Sequence, residues 1–272
     1  MARSKATART CLITTVLLLT GLRPVEAGEF RTRLEAGGVF DRSEPSSLDA
    51  ALGFADRQTA FAGLRVMWNE AAGPLQFEIH SNLRLTHGDD PAYRAAVAPF
   101  LPKPPPATLL DLTANLHSGG RTEFSNTVDR LSVTYAGPSL VVKIGRQAIT
   151  WGSGIFFHPS DIVAPFAPNQ LDTSYKPGVD MIYAQYLFES GADIQAIAVP
   201  RPARDGGPVI SDASTFALRG SHTLGELNIG FTAARDRGDT LAGFTLGGAL
   251  GGAAWNAEIV HHDVSGGARR TS

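Results

Sequence analysis

Residues 75–87, LQFEIHSNLRLTH, alternate apolar and polar side chains almost without a break. Leu75, Phe77, Ile79, Leu83 and Leu85 are apolar, while Gln76, Glu78, His80, Asn82, Arg84 and Thr86 are polar. Only Ser81 interrupts the pattern. A period of two places the two sets on opposite faces of a β-strand. The stretch is longer than the roughly five to six residues usual for a strand in a globular domain.

The same rhythm recurs at 130–136, 139–145, 180–188, 192–200, 226–234, 242–248 and 253–262, and more weakly at 29–40, 59–70 and 213–222. The alternation and turn rules therefore predict about eleven strands. Short breaks at 72–74, 136–138, 189–191, 224–225 and 250–252 alternate with longer ones at 41–58, 88–127, 150–178, 201–212 and 235–240. An up-and-down transmembrane β-barrel has this order, with short periplasmic turns and long outer loops. The predicted fold class is all-β, an antiparallel up-and-down transmembrane barrel whose apolar set meets lipid. Tyr135, Tyr183, Tyr186, Phe188 and Trp255 fall near predicted strand ends, where aromatic girdles sit. A soluble β-sandwich or lipocalin-like barrel is the alternative.

Composition fits an unusual solvent. Of the 272 residues, 18% are charged, below the roughly 25% of soluble domains, and the formal net charge is −2. A nucleic-acid binder would carry a basic excess, so no nucleic-acid partner is expected. The apolar fraction of 43% argues against disorder, and a single cysteine cannot form an internal disulfide.

The first residues read as a secretory signal over 1–27. Arg3, Lys5 and Arg9 precede the apolar run Cys11–Leu22, and Val25-Glu26-Ala27 offers a cleavage site. The run is too short for a membrane-spanning helix, and Cys11 precedes it, which argues against lipidation. Cleavage would remove the only cysteine and leave residues 28–272 as an exported barrel.

Two long loops concentrate the remaining signal. Within 88–127, the run APFLPKPPPA (98–107) predicts extended polyproline, and TLLDLTANLH (108–117) a short helix. Residues 143–183 lead from Gly145-Arg146-Gln147 through Trp151-Gly152-Ser153-Gly154 and His158-Pro159-Ser160-Asp161 to Tyr175-Lys176-Pro177-Gly178-Val179-Asp180. This stretch of about forty residues resembles bacterial outer-membrane porin-like proteins, in which a GRQ strand end leads to a WG turn, an F-x-P-x-D segment and a Y-x-x-GVD return. The resemblance implies a β-barrel in the outer membrane of a diderm bacterium, and it assigns no substrate. In a porin, an inward loop narrows the lumen and charges on its walls select solutes. Lys143, Arg146 and Lys176 are candidate basic members, and Asp161, Asp172 and Asp180 candidate acidic ones, with Glu78 and Arg84 as further pore-lining candidates. The opposing reading is that these charges pair locally and brace the fold.

Three apparent motifs point elsewhere and are weak. His80-Ser81-Asn82 resembles the placement in outer-membrane phospholipases, but adjacent strand residues face opposite ways. His261-His262-Asp263 lacks a third spaced metal ligand, and GFTLGGALGG (243–252) lacks the Lys-Ser/Thr of a phosphate loop. The expected function is passive diffusion of small hydrophilic solutes through an outer-membrane channel, without cofactor, metal or catalysis. Its partners would be outer-membrane lipid, small hydrophilic solutes and, as an open option, further copies of the chain. A non-enzymatic surface-binding or polysaccharide-export-assisting barrel is the alternative. About eleven strands is an odd number and the tail 265–272 is not strand-like, so the sequence predicts an incomplete barrel with an open seam.

Overall fold

The computed structural model describes residues 11–17, 28–101, 106–151, 161–163 and 175–264. The expected cleavage site after Ala27, residues 152–160 and 164–174 of the porin-like stretch, Asp172 and the tail 265–272 lie outside the described residues.

The fold is all-β and antiparallel. Thirteen strands lie among the described residues, and their ladder order is β1-β2-β3-β4-β6-β7-β8-β9-β10-β11-β12-β13, with β5 paired to β6 beside this path. The order has two ends, since β1 is laddered only to β2 and β13 only to β12 among the described residues. Each expected strand is present. The chain forms two compact units, Met1–Asn69 with Ile79–Pro104 and Leu112–Val128, and Glu70–Glu78 with Pro105–Asp111 and Asp129–Ser272.

In the first unit, β1 (Cys11–Leu17) pairs with β2 (Glu29–Arg42) from Cys11↔Phe40 to Leu17↔Leu34. This strand comes from the segment expected to be removed on export. β2 then pairs with β3 (Asp56–Ala72) in unbroken register from Glu29↔Asn69 to Arg42↔Asp56. Ser47 caps the short helix α1 (Leu48–Ala51) by accepting the Ala50 N–H at 3.2 Å.

The β4 strand (Leu75–Gly88) is followed by α2 (Asp90–Val97), with a proline in its first turn, and a 3₁₀ turn at Ala98–Phe100. The Arg57 guanidinium lies 3.7 Å from the Tyr93 ring centroid and pairs with Asp41, and Tyr93 donates to Asp49 at 2.8 Å. These contacts fix α2 on the β2–β3 loop. The hydroxyls of Tyr93 and Ser43 hold the Asp49 carboxyl below its usual range.

Two expectations for 88–127 are corrected here. The helix is at Asp90–Val97, not 108–117, and β5 (Thr113–Gly119) pairs with the start of β6 (Thr122–Ala136) as a hairpin. The leucines that suggested a helix face are split between an irregular segment and a strand. The turn is Gly120-Arg121, and Gly120 takes the positive φ of 56° that a tight hairpin favours. Where a polyproline run was expected, 98–100 is helical and 102–105 lies outside the described residues.

The second unit continues from β6 through β7 (Leu140–Gln147), β8 (Val179–Leu187), β9 (Asp193–Val199), β10 (Thr215–Leu224), β11 (Leu227–Asp236), β12 (Asp239–Leu250) and β13 (Ala253–Asp263). The expected long loop at 235–240 is instead a two-residue turn, Arg237 (φ 51°) and Gly238 (φ 88°). Positive φ at both positions is the geometry that matches strand twist in a tight hairpin. The other long connections of this unit, 148–178 and 200–214, do separate strands.

Candidate functional site

The polarity of the sheet is inverted relative to a sheet packed in water. On β6, Leu131, Val133 and Tyr135 are 44%, 41% and 43% exposed, whereas Arg130 and Ser132 are 8% and 5% exposed. Ladder partners carry the same parity onward. Leu140 and Ile144 on β7, Ile182 and Tyr186 on β8, Ile194 on β9, Leu218 on β10, Phe231 on β11 and Ile259 on β13 are all exposed. Thr215, Thr232 and Thr245, on the alternate positions of β10, β11 and β12, are buried. The first unit repeats the pattern, with Phe30, Leu34, Ile79 and Leu85 exposed and Thr59, His80 and Thr86 buried. An antiparallel sheet in water buries its apolar face and wets the other.

Exposed aromatics gather at the short-turn end of the second unit. Tyr135, Tyr186, Phe188 and Trp255 are each exposed, and Tyr186 and Phe188 stack edge to face at 4.9 Å. Tyr183 differs from the expectation. It is half-buried at a polar-face position and donates to Gln185 at 3.0 Å.

The polar face of the second unit has a covered end and a polar middle. Trp151 and Val163, from the 148–178 connection, are buried against Val179, Met181, Ile197, Val199, Ala217, Ala234 and Leu241. Trp151 Nε1 donates to Gln195 Oε1 at 2.6 Å, and Arg219 Nη1 donates to the Trp151 carbonyl. Lys176 Nζ reaches the Ile149 carbonyl and both oxygens of Asp161, at 2.5 and 2.7 Å. Burial pushes the Lys176 ammonium below its ordinary value, and the Asp161 carboxylate opposes that shift.

All the candidate charges except Asp172 lie among the described residues, and each has an ionic partner. Glu78 accepts from Lys143 at 2.6 Å and from Ser132 at 3.3 Å, with Arg130 Nε at 4.0 Å. Arg84 pairs with Glu35 at 2.9 Å and its guanidinium lies 4.4 Å from the Phe61 ring. Arg146 and Asp180 form a two-point pair at 3.0 and 2.9 Å. That pair is opposed in register and shares the parity of Ile144 and Ile182, the exposed apolar set. It is buried because the Leu110 backbone closes on it, donating to Asp180 at 2.9 Å and accepting from Arg146.

His80 faces Asn69 at 3.2 Å while Ser81 donates to Asn126 at 2.5 Å, so the two neighbours engage different strands. His262 approaches Asp239 at 3.5 Å, and no group of three metal-ligating side chains is found among the described residues. The run 243–252 is β12 and its turn. No described helix is long and apolar enough to cross a membrane. Sequence reasoning placed Trp151 in the porin-like stretch but missed Gln195 and Arg219, because their meeting with Trp151 depends on a loop contact that no local pattern encodes. The chain matches no family model, no curated protein and no solved structure.

Proposed function

We propose that the chain is a porin-like β-barrel of the bacterial outer membrane that passes small hydrophilic solutes by diffusion. The observation that carries this reading is the inverted polarity. Leucines, isoleucines and aromatics are exposed on one parity, while Arg130, Ser132 and several threonines are buried on the other. Lipid is the solvent that makes such a surface favourable, and a hydrated lumen accommodates the polar parity. The exposed aromatics near the short turns fit an interfacial girdle, and the Gly145-to-Asp180 resemblance points the same way. Export through the signal at 1–27 would deliver the chain.

The test is reconstitution of purified protein in planar bilayers. Discrete conductance steps with weak discrimination among small ions support the channel, and a folded, inserted protein with no conductance overturns it.

A second reading rests on the covered end. Trp151 and Val163 fill the polar face where the long connections lie. A barrel closed there would serve surface binding or assist polysaccharide export. Conductance that rises only after this cover is loosened would favour it over a constitutively open channel.

A further inference from the structure

We propose a binding site for a small hydroxylated carboxylate on the polar face of β10–β13, with Arg219 as its anion-binding residue. The proposal deepens the channel reading, since it places a solute site on the wall that reading assigns to the lumen.

A cavity of about 610 Å³ is framed by these four strands, and Arg219, Ser221, Asn228, Thr245 and Asn256 supply its polar lining. The space exists because Gly247 occupies a polar-face position of β12, opposite Asn228. Gly230 on β11 is a glycine for room. A Cβ there would overlap Thr245 Oγ1 and stand 3.6 Å from Arg219 Nη2. The hydroxyl and the guanidinium head therefore share one pocket floor above that glycine.

Among the described residues, Arg219 is hydrogen-bonded at one corner. Its Nη1 donates to the Trp151 carbonyl, while its Nε is buried with no hydrogen-bond partner among the described residues. It forms no ion pair among the described residues either. The nearby Asp193 carboxylate feels the Arg219 charge but takes its hydrogen bonds from Ser221, from Gln195 at 2.7 Å and from Gln185 at 3.1 Å. A buried donor without an acceptor is unfavourable, and a small shift of the guanidinium that lets Nε share an incoming oxyanion would relieve it. A planar guanidinium suits the fork of a carboxylate.

The ligand's charge follows from the lining. Arg219 and Glu226 leave the lining with no net charge, so the guanidinium can take one carboxylate while a dianion such as phosphate is disfavoured. Thr245, Asn228 and Asn256 suit hydroxyl groups on the same molecule, because each can donate and accept. The volume lies within the range of small-molecule sites.

The experiment is calorimetric titration of the full-length chain in detergent with D-gluconate, D-glucose and inorganic phosphate as probes. Gluconate should bind at least tenfold more tightly than either of the others. Arg219→Gln should abolish that preference, and Thr245→Val should weaken gluconate binding severalfold while leaving the carboxylate preference. Exposed Arg235→Gln should change nothing. Should Arg219→Gln fail to fold, Arg219→Lys retains the charge and loses the fork, and a severalfold loss is expected. Equal binding of gluconate and glucose, no binding of gluconate, or an unaffected Arg219→Lys would each overturn the site. Binding in detergent is independent of conductance. Loss of the channel reading with gluconate binding intact, and loss of binding with conductance intact, are therefore distinguishable.

Discussion

Arg146 and Asp180 stand directly opposite each other in the β7–β8 ladder, and the backbone of Leu110, from a distant segment, donates to one and accepts from the other. The guanidinium and carboxylate are 5% and 10% exposed. A pair so buried acts as a clasp that holds the 106–111 segment to the end of the ladder. Removing one partner leaves a buried charge uncompensated. Asp180→Asn should destabilise the protein by about 3–5 kcal/mol, and Arg146→Leu with Asp180→Leu should recover much of that loss. Urea unfolding of the refolded protein in detergent measures both.

Ile144 and Val141 lie on opposite parities of β7, and Ile144 is 55% exposed. On the membrane reading, Ile144→Arg should cost about 2–4 kcal/mol at the bilayer midplane, while Val141→Arg, opposite Gln185, should be tolerated. The check is folding equilibrium in lipid vesicles. Equal costs on both parities would sink the membrane assignment. Glu78 would be a poor control, because it sits between Lys143 and Arg130.

Trp151 anchors the cover on the polar face through Gln195 and Arg219. Trp151→Ala with Val163→Ala should loosen it and raise single-channel conductance or antibiotic uptake. Unchanged permeability in a variant shown to fold would mean that this packing does not restrict passage.

The Lys176 pair gives a pH signature. Burial places the folded-state pKa of Lys176 below its unfolded value, so the unfolded chain binds the proton more tightly. The cost of holding the ammonium in the folded state is fully present below the folded pKa. It fades as pH rises toward the ordinary lysine value of about 10.4. Stability of the wild type should therefore gain a small increment across that alkaline window. Lys176→Met should lack the increment and should be less stable at neutral pH, since Asp161 is then buried alone. Unfolding curves at several alkaline pH values would reveal the difference, and identical pH slopes would refute the assignment.

The strands were legible because alternation is a local property. Leu131, Val133 and Tyr135 against Arg130, Ser132 and Thr134 announce two faces whichever strands lie beside them. The helix at Asp90–Val97 and the hairpin from Thr113 were misread. Leucines at 109, 110, 112 and 116 satisfy a helical and an extended pattern about equally, and the pairing with β6 decides between them. The tight turn at Arg237-Gly238 was hidden because a non-glycine residue with positive φ leaves little trace in sequence.

The sequence by itself determined that this chain makes long two-faced strands with little charge and an apolar set too regular to be incidental. It also marked the charged residues at the strand ends. Only the tertiary structure decided their partners. Glu78 with Lys143, Arg146 with Asp180, and Trp151 with Gln195 are separated by 65, 34 and 44 positions. The physical reason is range. Side-chain direction along a strand is set by the next residue's covalent geometry, but the neighbour of a charge or an indole depends on ladder register and on where a loop returns. Both are fixed by many weak contacts summed over distant parts of the chain.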